Sequence, residues 1–203
     1  NHLISEAAGL YTAGLYLQDH PEAGKWHDLG WRWLNWAFQH QINEFGTYVQ
    51  HSANYHRVML QLALYADHFR RLSGDTEWPA ITKDHLAAAT KWLWGLTDPQ
   101  TGSTPNLGAN DGAYVFPISS RSFSDYRPVV DAAAKAFLEQ DIYKDPELSE
   151  IADWFSLVAS EEPAAFTPQA PDMLRVENQG GRAFIHTAYF NDRPSHADQL
   201  HVA

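Results

Sequence analysis

The residues from Ser52 to Arg57, read Ser-Ala-Asn-Tyr-His-Arg, place a phenol, an imidazole, an amide and a guanidinium within two turns of chain. Groups of these kinds move protons and hold anions: tyrosine and histidine exchange a proton, while an amide or a guanidinium bonds a carboxylate. Two further runs carry the same kind of chemistry, Asn1-His2 at the start of the chain and Ser195-His196-Ala197-Asp198 near its end. A fourth set, Asn106, Asn110, Asp111, Tyr114, Arg121 and Arg127, lies in a stretch rich in glycine and proline. Taken singly, each has an ordinary explanation as a cap, a core edge or a surface residue.

Hydrophobic periodicity defines the elements that must position these groups. Ser52 reads as an N-cap, and Tyr55, Val58, Met59, Leu62, Ala66 and Phe69 follow as the stripe of a helix running to about Leu72. Tyr55 sits at the open end of that stripe. Residues 1 to about 18 read as a helix that is apolar nearly all round, with small residues at Ala7, Ala8, Gly9, Ala13 and Gly14, and therefore as a buried one. A second helix runs from about Lys25 to Ile42 with Trp26, Leu29, Trp33, Trp36 and Ala37 on its core face. Further helices are expected from about Pro79 to Trp94, Pro128 to Gln140 and Pro146 to Ala159. Between the fourth and the fifth lies the irregular stretch Thr97 to Arg127, and a loop of that length inside a helical domain is more often functional than a spacer.

The pattern changes near residue 160. Glu161 to Pro171, with Pro163, Pro168 and Pro171, reads as a linker. Leu174 to Asn178 and Arg182 to Phe190 then flank Gln179-Gly180-Gly181 as the strands of a hairpin, and His196 leads into a third strand. The expected organisation is a helical domain over 1–160, a linker over 161–171 and the start of a β domain over 172–203.

Composition narrows the function classes. The chain has 203 residues and a formal charge of −11, which argues against nucleic acid, whose phosphates need a basic face. It contains no cysteine and no run of apolar residues long enough for a transmembrane helix. It opens on Asn rather than Met and stops within an apparent strand, so it reads as a fragment of a longer protein. Eleven histidines and eight tryptophans supply tunable protons and flat faces that stack on sugar rings as readily as they fill cores.

In their order along the chain these features resemble the heparinase II/III family of polysaccharide lyases. The resemblance is carried by Asn1-His2-Leu3 opening a small-residue-rich helix, by Gly46-Thr47-Tyr48 leading into Ser52 to Arg57, by Asn106-Leu107-Gly108-Ala109-Asn110-Asp111-Gly112, and by Arg193 to His201. It implies a mainly α chain, an incomplete (α/α) toroid followed by the first strands of an antiparallel β-sandwich. It also implies a periplasmic or secreted enzyme acting on an acidic, uronate-containing polysaccharide such as a glycosaminoglycan. Such enzymes cleave by β-elimination: the proton beside the uronate carboxylate is removed and the glycosidic oxygen on the neighbouring carbon leaves. By resemblance, Asn1 and His2 neutralise the carboxylate, and Tyr55 removes the proton, donates one to the leaving oxygen, or does both. His196 is similar to the β-domain histidine that serves as a second acid/base group or as ligand of a divalent metal, zinc or calcium. Asn54, Arg57, Asn110, Asp111, Tyr114 and Arg127 are the expected substrate-binding residues.

A tyrosine with its ordinary pKa of about 10 needs neighbouring positive charge to act as a base near neutrality, and Arg57 and His56 are the nearest candidates in sequence. The family pattern often has an acidic residue where Gln50 stands and a histidine where Pro194 stands. Two rival readings use the same residues differently. A glycoside hydrolase would need a pair of carboxylates, for which Asp111, Asp125 and Glu6 are the candidates. A non-catalytic glycan-binding scaffold would keep the aromatic cleft without turnover.

Overall fold

A computed structural model of the chain describes residues 1–158 and the backbone of three short strands at 175–179, 182–186 and 201–202. The chain is mainly helical. The helices are α1 (His2–Tyr16), α2 (Ala23–Gln41), α3 (Ala53–Ser73), α4 (Ala80–Leu96), α5 (Arg127–Phe137) and α6 (Glu150–Trp154), with a 3-10 turn at Pro146–Leu148 before α6. They pack in sequential pairs: α1 lies against α2 and α3, α3 against α4 and α5, and α2 against α4.

α3 is the central post. Ser52, in extended conformation, caps it by accepting from the Tyr55 N–H at 3.1 Å, and Gly74 ends it in the left-handed conformation with its N–H on the Arg70 and Arg71 carbonyls. Val58, Met59, Leu60, Leu62, Ala63, Leu64 and Ala66 are all buried, so the helix is enclosed on most of its circumference rather than along one stripe. Its last turn is held by ions as well: Asp67 accepts from Arg70 at 3.0 Å and from Arg71 at 2.8 Å.

α1 and α2 approach each other through glycine. A Cβ on Gly30 would meet the Tyr11 and Ala7 backbone, and one on Gly14 the His27 and Ala23 backbone, so only hydrogen fits at either crossing. This close approach fixes the rotation of α2 and corrects two expectations. The buried face of α2 is Ala23, Gly30, Leu34, Asn35, Ala37 and Phe38, while Trp33 and Trp36 remain 38% and 42% exposed. The tryptophan of α2 that packs inward is Trp31, stacked on Trp78 with ring centres 4.3 Å apart. α1 is likewise one-sided, burying Ile4, Ala7, Ala8, Tyr11 and Gly14 and leaving Gly9 and Tyr16 exposed.

The single helix expected from Pro146 to Ala159 is instead a 3-10 turn and a short α6. Asp145 caps the turn at the Glu147 N–H, and Leu148 and Ile151 supply its buried contacts. Ser149 at the break accepts from the Lys135 ammonium at 3.1 Å, and the chain leaves α6 through Ser156 in the left-handed region.

The strands are β1 (Arg175–Gln179), β2 (Arg182–His186) and β3 (His201–Val202), paired antiparallel in that order. Gln179 stands opposite Arg182, which leaves two glycines between the paired positions. The linker expected at 161–171 lies outside the described residues. Among the described residues no helix is long and apolar enough to cross a membrane.

Candidate functional site

The long loop, residues 97–126, is laced onto the first three turns of α3. Ala53 N–H donates to the Leu107 carbonyl at 3.0 Å, the Ser52 hydroxyl to the Ala109 carbonyl, and the Asn54 amide to the Ala113 carbonyl at 3.1 Å. Gln61 completes the row by donating to the Phe116 carbonyl at 3.1 Å and accepting from the Val115 N–H at 3.3 Å. Asn54, Arg57 and Gln61 follow the i, i+3, i+7 spacing of one helix face, so α3 shows the loop a polar stripe and the core an apolar one. Gly108 sits where the loop crosses closest. With φ at +69° and a would-be Cβ against the His51 carbonyl, the position admits glycine alone.

Arg57 anchors this arrangement from below. It is fully buried, and its guanidinium carbon lies 4.0, 4.2 and 4.7 Å from the ring centres of Tyr126, Phe123 and Tyr114. It donates to the Asn54 side-chain oxygen at 2.7 Å and to the Phe123 carbonyl. Three ring faces and two neutral oxygens replace the carboxylate that a buried cation ordinarily needs. His56 also points inward: it stacks on Trp92 at 4.6 Å, and the Ala89 carbonyl 2.9 Å from Nε2 requires the proton on that nitrogen. Burial lowers its pKa to about 4, so it is neutral near pH 7. Neither Arg57 nor His56 is aimed at the Tyr55 phenol.

What faces the phenol is a carboxylate. Tyr55 donates to Asp111 at 2.6 Å, and the other Asp111 oxygen accepts from the Ala113 N–H at 3.2 Å. The hydrogen bond to Asp111 raises the Tyr55 pKa above the ordinary tyrosine value, and the same bond holds the Asp111 carboxyl below the usual carboxylate range. Both groups are at the surface of the site. Asn110, also exposed, donates to the Asn106 side chain at 3.0 Å and accepts from the Gly112 N–H at 3.3 Å, shaping the turn that presents Asp111.

Asn1 is at the head of α1, and its side-chain oxygen is 3.4 Å from the Gln50 amide nitrogen. Gln50 comes two residues before the cap of α3, so the heads of α1 and α3 open at the same end of the helical array. His2 is exposed on the first turn of α1. The expected site residues thus divide by direction. Asn1, His2, Tyr55, Asn110 and Asp111 face outward; Asn54 and Arg57 face the underside of the loop, and Tyr114 covers Arg57. Arg127 is paired bidentately with Asp125, at 2.9 and 2.7 Å, and donates to the Gln100 carbonyl. His196 lies outside the described residues, and among those described no three His, Asp or Glu are grouped to hold a metal. Gln61 and the Ser52 hydroxyl belong to the positioning machinery; the signal for Gln61 was its place seven residues after Asn54 on an otherwise apolar helix.

A family model described as Heparinase II/III N-terminus matches residues 1–132. The chain belongs to the heparinase II/III family. Searches of curated proteins and of solved structures gave no match. The heparinase II/III match runs from the head of α1 into α5, and so takes in Asn1, Tyr55, the whole laced loop and the Arg57 cage.

Proposed function

We propose that the chain is part of a polysaccharide lyase that cleaves an acidic, uronate-containing glycan by β-elimination, with the heads of α1 and α3 as one wall of its active site. The observation that carries this reading is the exposed Tyr55 phenol, fixed by Asp111 at the same end of the array as the Asn1 side chain. Two helix N-termini opening side by side bring their positive dipole ends to an anionic substrate, which offsets locally the −11 of the whole chain. Asn1 and His2 would bond the uronate carboxylate and lower the cost of the enolate-like intermediate that forms when its neighbouring proton leaves. Tyr55 would exchange the proton, and Asn110 and Asp111 would line the rim.

The same reading assigns residues 1–160 to part of an incomplete (α/α) toroid, 161–171 to a linker and 172–203 to the first strands of a β-sandwich. His196 would reach the cleft from that domain as a second acid/base group or hold a divalent metal there, in a periplasmic or secreted enzyme. A hydrolase is less well supported, because Asp125 is buried against Arg127 and unavailable to pair with Asp111 across a cleft.

A product assay tests the proposal. The full-length protein should release unsaturated uronate, absorbing in the near ultraviolet, from at least one of hyaluronan, alginate and heparan sulfate, and Tyr55→Phe should lower that rate by roughly 10² to 10⁴. New reducing ends without unsaturation would indicate a hydrolase, and binding without any product a scaffold.

A further inference from the structure

We propose that Asp111 is a positioning residue that holds the Tyr55 phenol protonated, so that Tyr55 serves the elimination as the proton donor to the departing glycosidic oxygen. The inference rests on the lyase reading and adds to it a direction for the proton. Asp111 is fixed from both sides: the Ser52 hydroxyl holds the Ala109 carbonyl before it, the Asn54 amide holds the Ala113 carbonyl after it, and the Ala113 N–H holds its second oxygen. Its first oxygen is 2.6 Å from the phenol oxygen, a separation that needs a hydrogen between them, since a phenolate there would set two anions in contact.

No compensating cation acts on this pair. On α3, Arg57 is enclosed by the rings of Tyr114, Phe123 and Tyr126, and His56 is neutral against Ala89. Of the charged groups on the packed elements, which include His2 and Glu6 of α1, His51 before α3, and Arg121 and Asp125 of the loop, only Asp111 perturbs the phenol. In the step itself the bond from carbon to the glycosidic oxygen breaks, that oxygen takes the phenol proton, and the carbon–carbon double bond forms. The proton beside the carboxylate leaves to a separate base of the imidazole class. The phenolate then regains a proton from water, and Asp111 stays ionised throughout.

The test uses the full-length protein with 13C-labelled tyrosine, the Tyr55 resonance being identified by its loss in Tyr55→Phe. Tyr55 should ionise at lower pH in Asp111→Asn than in the wild type, and Asp111→Glu, which keeps the charge, should move it back. On the polymer that yields unsaturated product, kcat should fall on the alkaline side as the donor loses its proton. That limb should shift to lower pH in Asp111→Asn, with KM changing less than threefold. A Tyr55 titration that Asp111→Asn leaves in place overturns the proposal, and so does a variant that is faster than wild type at pH 7, as expected if the phenolate were the base. The titration needs no substrate, so a protein that cleaves none of the polymers would sink the lyase reading while Asp111's hold on the phenol is still decided.

Discussion

Four consecutive side chains at the head of α3 have four different destinations. Asn54 holds a loop carbonyl, Tyr55 meets Asp111 in the open, His56 is stacked in the core and Arg57 is caged by rings. The sequence shows their chemistry but not their directions, which depend on partners 30 to 70 residues away; that the residues one and two positions after Tyr55 point elsewhere does follow from helix geometry. His56 carries a measurable consequence. Its folded-state pKa of about 4 lies below the ordinary value of 6.5, so the unfolded chain takes up a proton first as pH falls. The stability it permits is full above pH 6.5 and is lost on acidification toward pH 4, by roughly 3 kcal/mol if nothing else titrates. Unfolding free energies measured from pH 7 to pH 4 should fall with that slope, and His56→Phe should flatten it.

Helix limits were the most legible elements. Those of α2, α3 and α4 fall within about two residues of the periodic pattern, because caps and glycines mark them locally, as Ser52 and Gly74 do for α3. The faces were less legible. α2 was expected to bury its large residues, yet the glycine crossing decides its rotation and turns Trp33 and Trp36 outward. Gly30→Ala therefore tests the packing of the α1/α2 pair directly. The added methyl meets backbone that has no rotamer to change, and the variant should lose about 1 to 3 kcal/mol in chemical denaturation. Gly24→Ala, with open space around its Cβ position, serves as the control and should change stability far less. The break between the 3-10 turn and α6 was not legible either, since it depends on Lys135 reaching Ser149 from α5.

At the scale of the whole molecule the tryptophans separate into two populations that composition cannot distinguish. Trp78 is buried between Trp31 and Phe38 and donates its indole N–H to Asp67 at 2.8 Å, so Trp78→Ala should cost about 3 to 5 kcal/mol. Trp33→Ser in the same denaturation experiment should stay within about 0.5 kcal/mol of the parent, as an exposed site does. The outward residues at the heads of α1 and α3 were legible as a set only through the family pattern, because Asn1 and Tyr55 are brought together by helix pairing rather than by proximity in sequence. The way α3 grips its loop has a further bearing on how such a molecule changes over generations. Ser52, Asn54 and Gln61 bind carbonyls and an N–H, groups that every substitution retains, and so place no demand on most of the side chains between Leu107 and Phe116. A rim held by its main chain is free to mutate toward a new sugar while the tyrosine beneath it keeps its place.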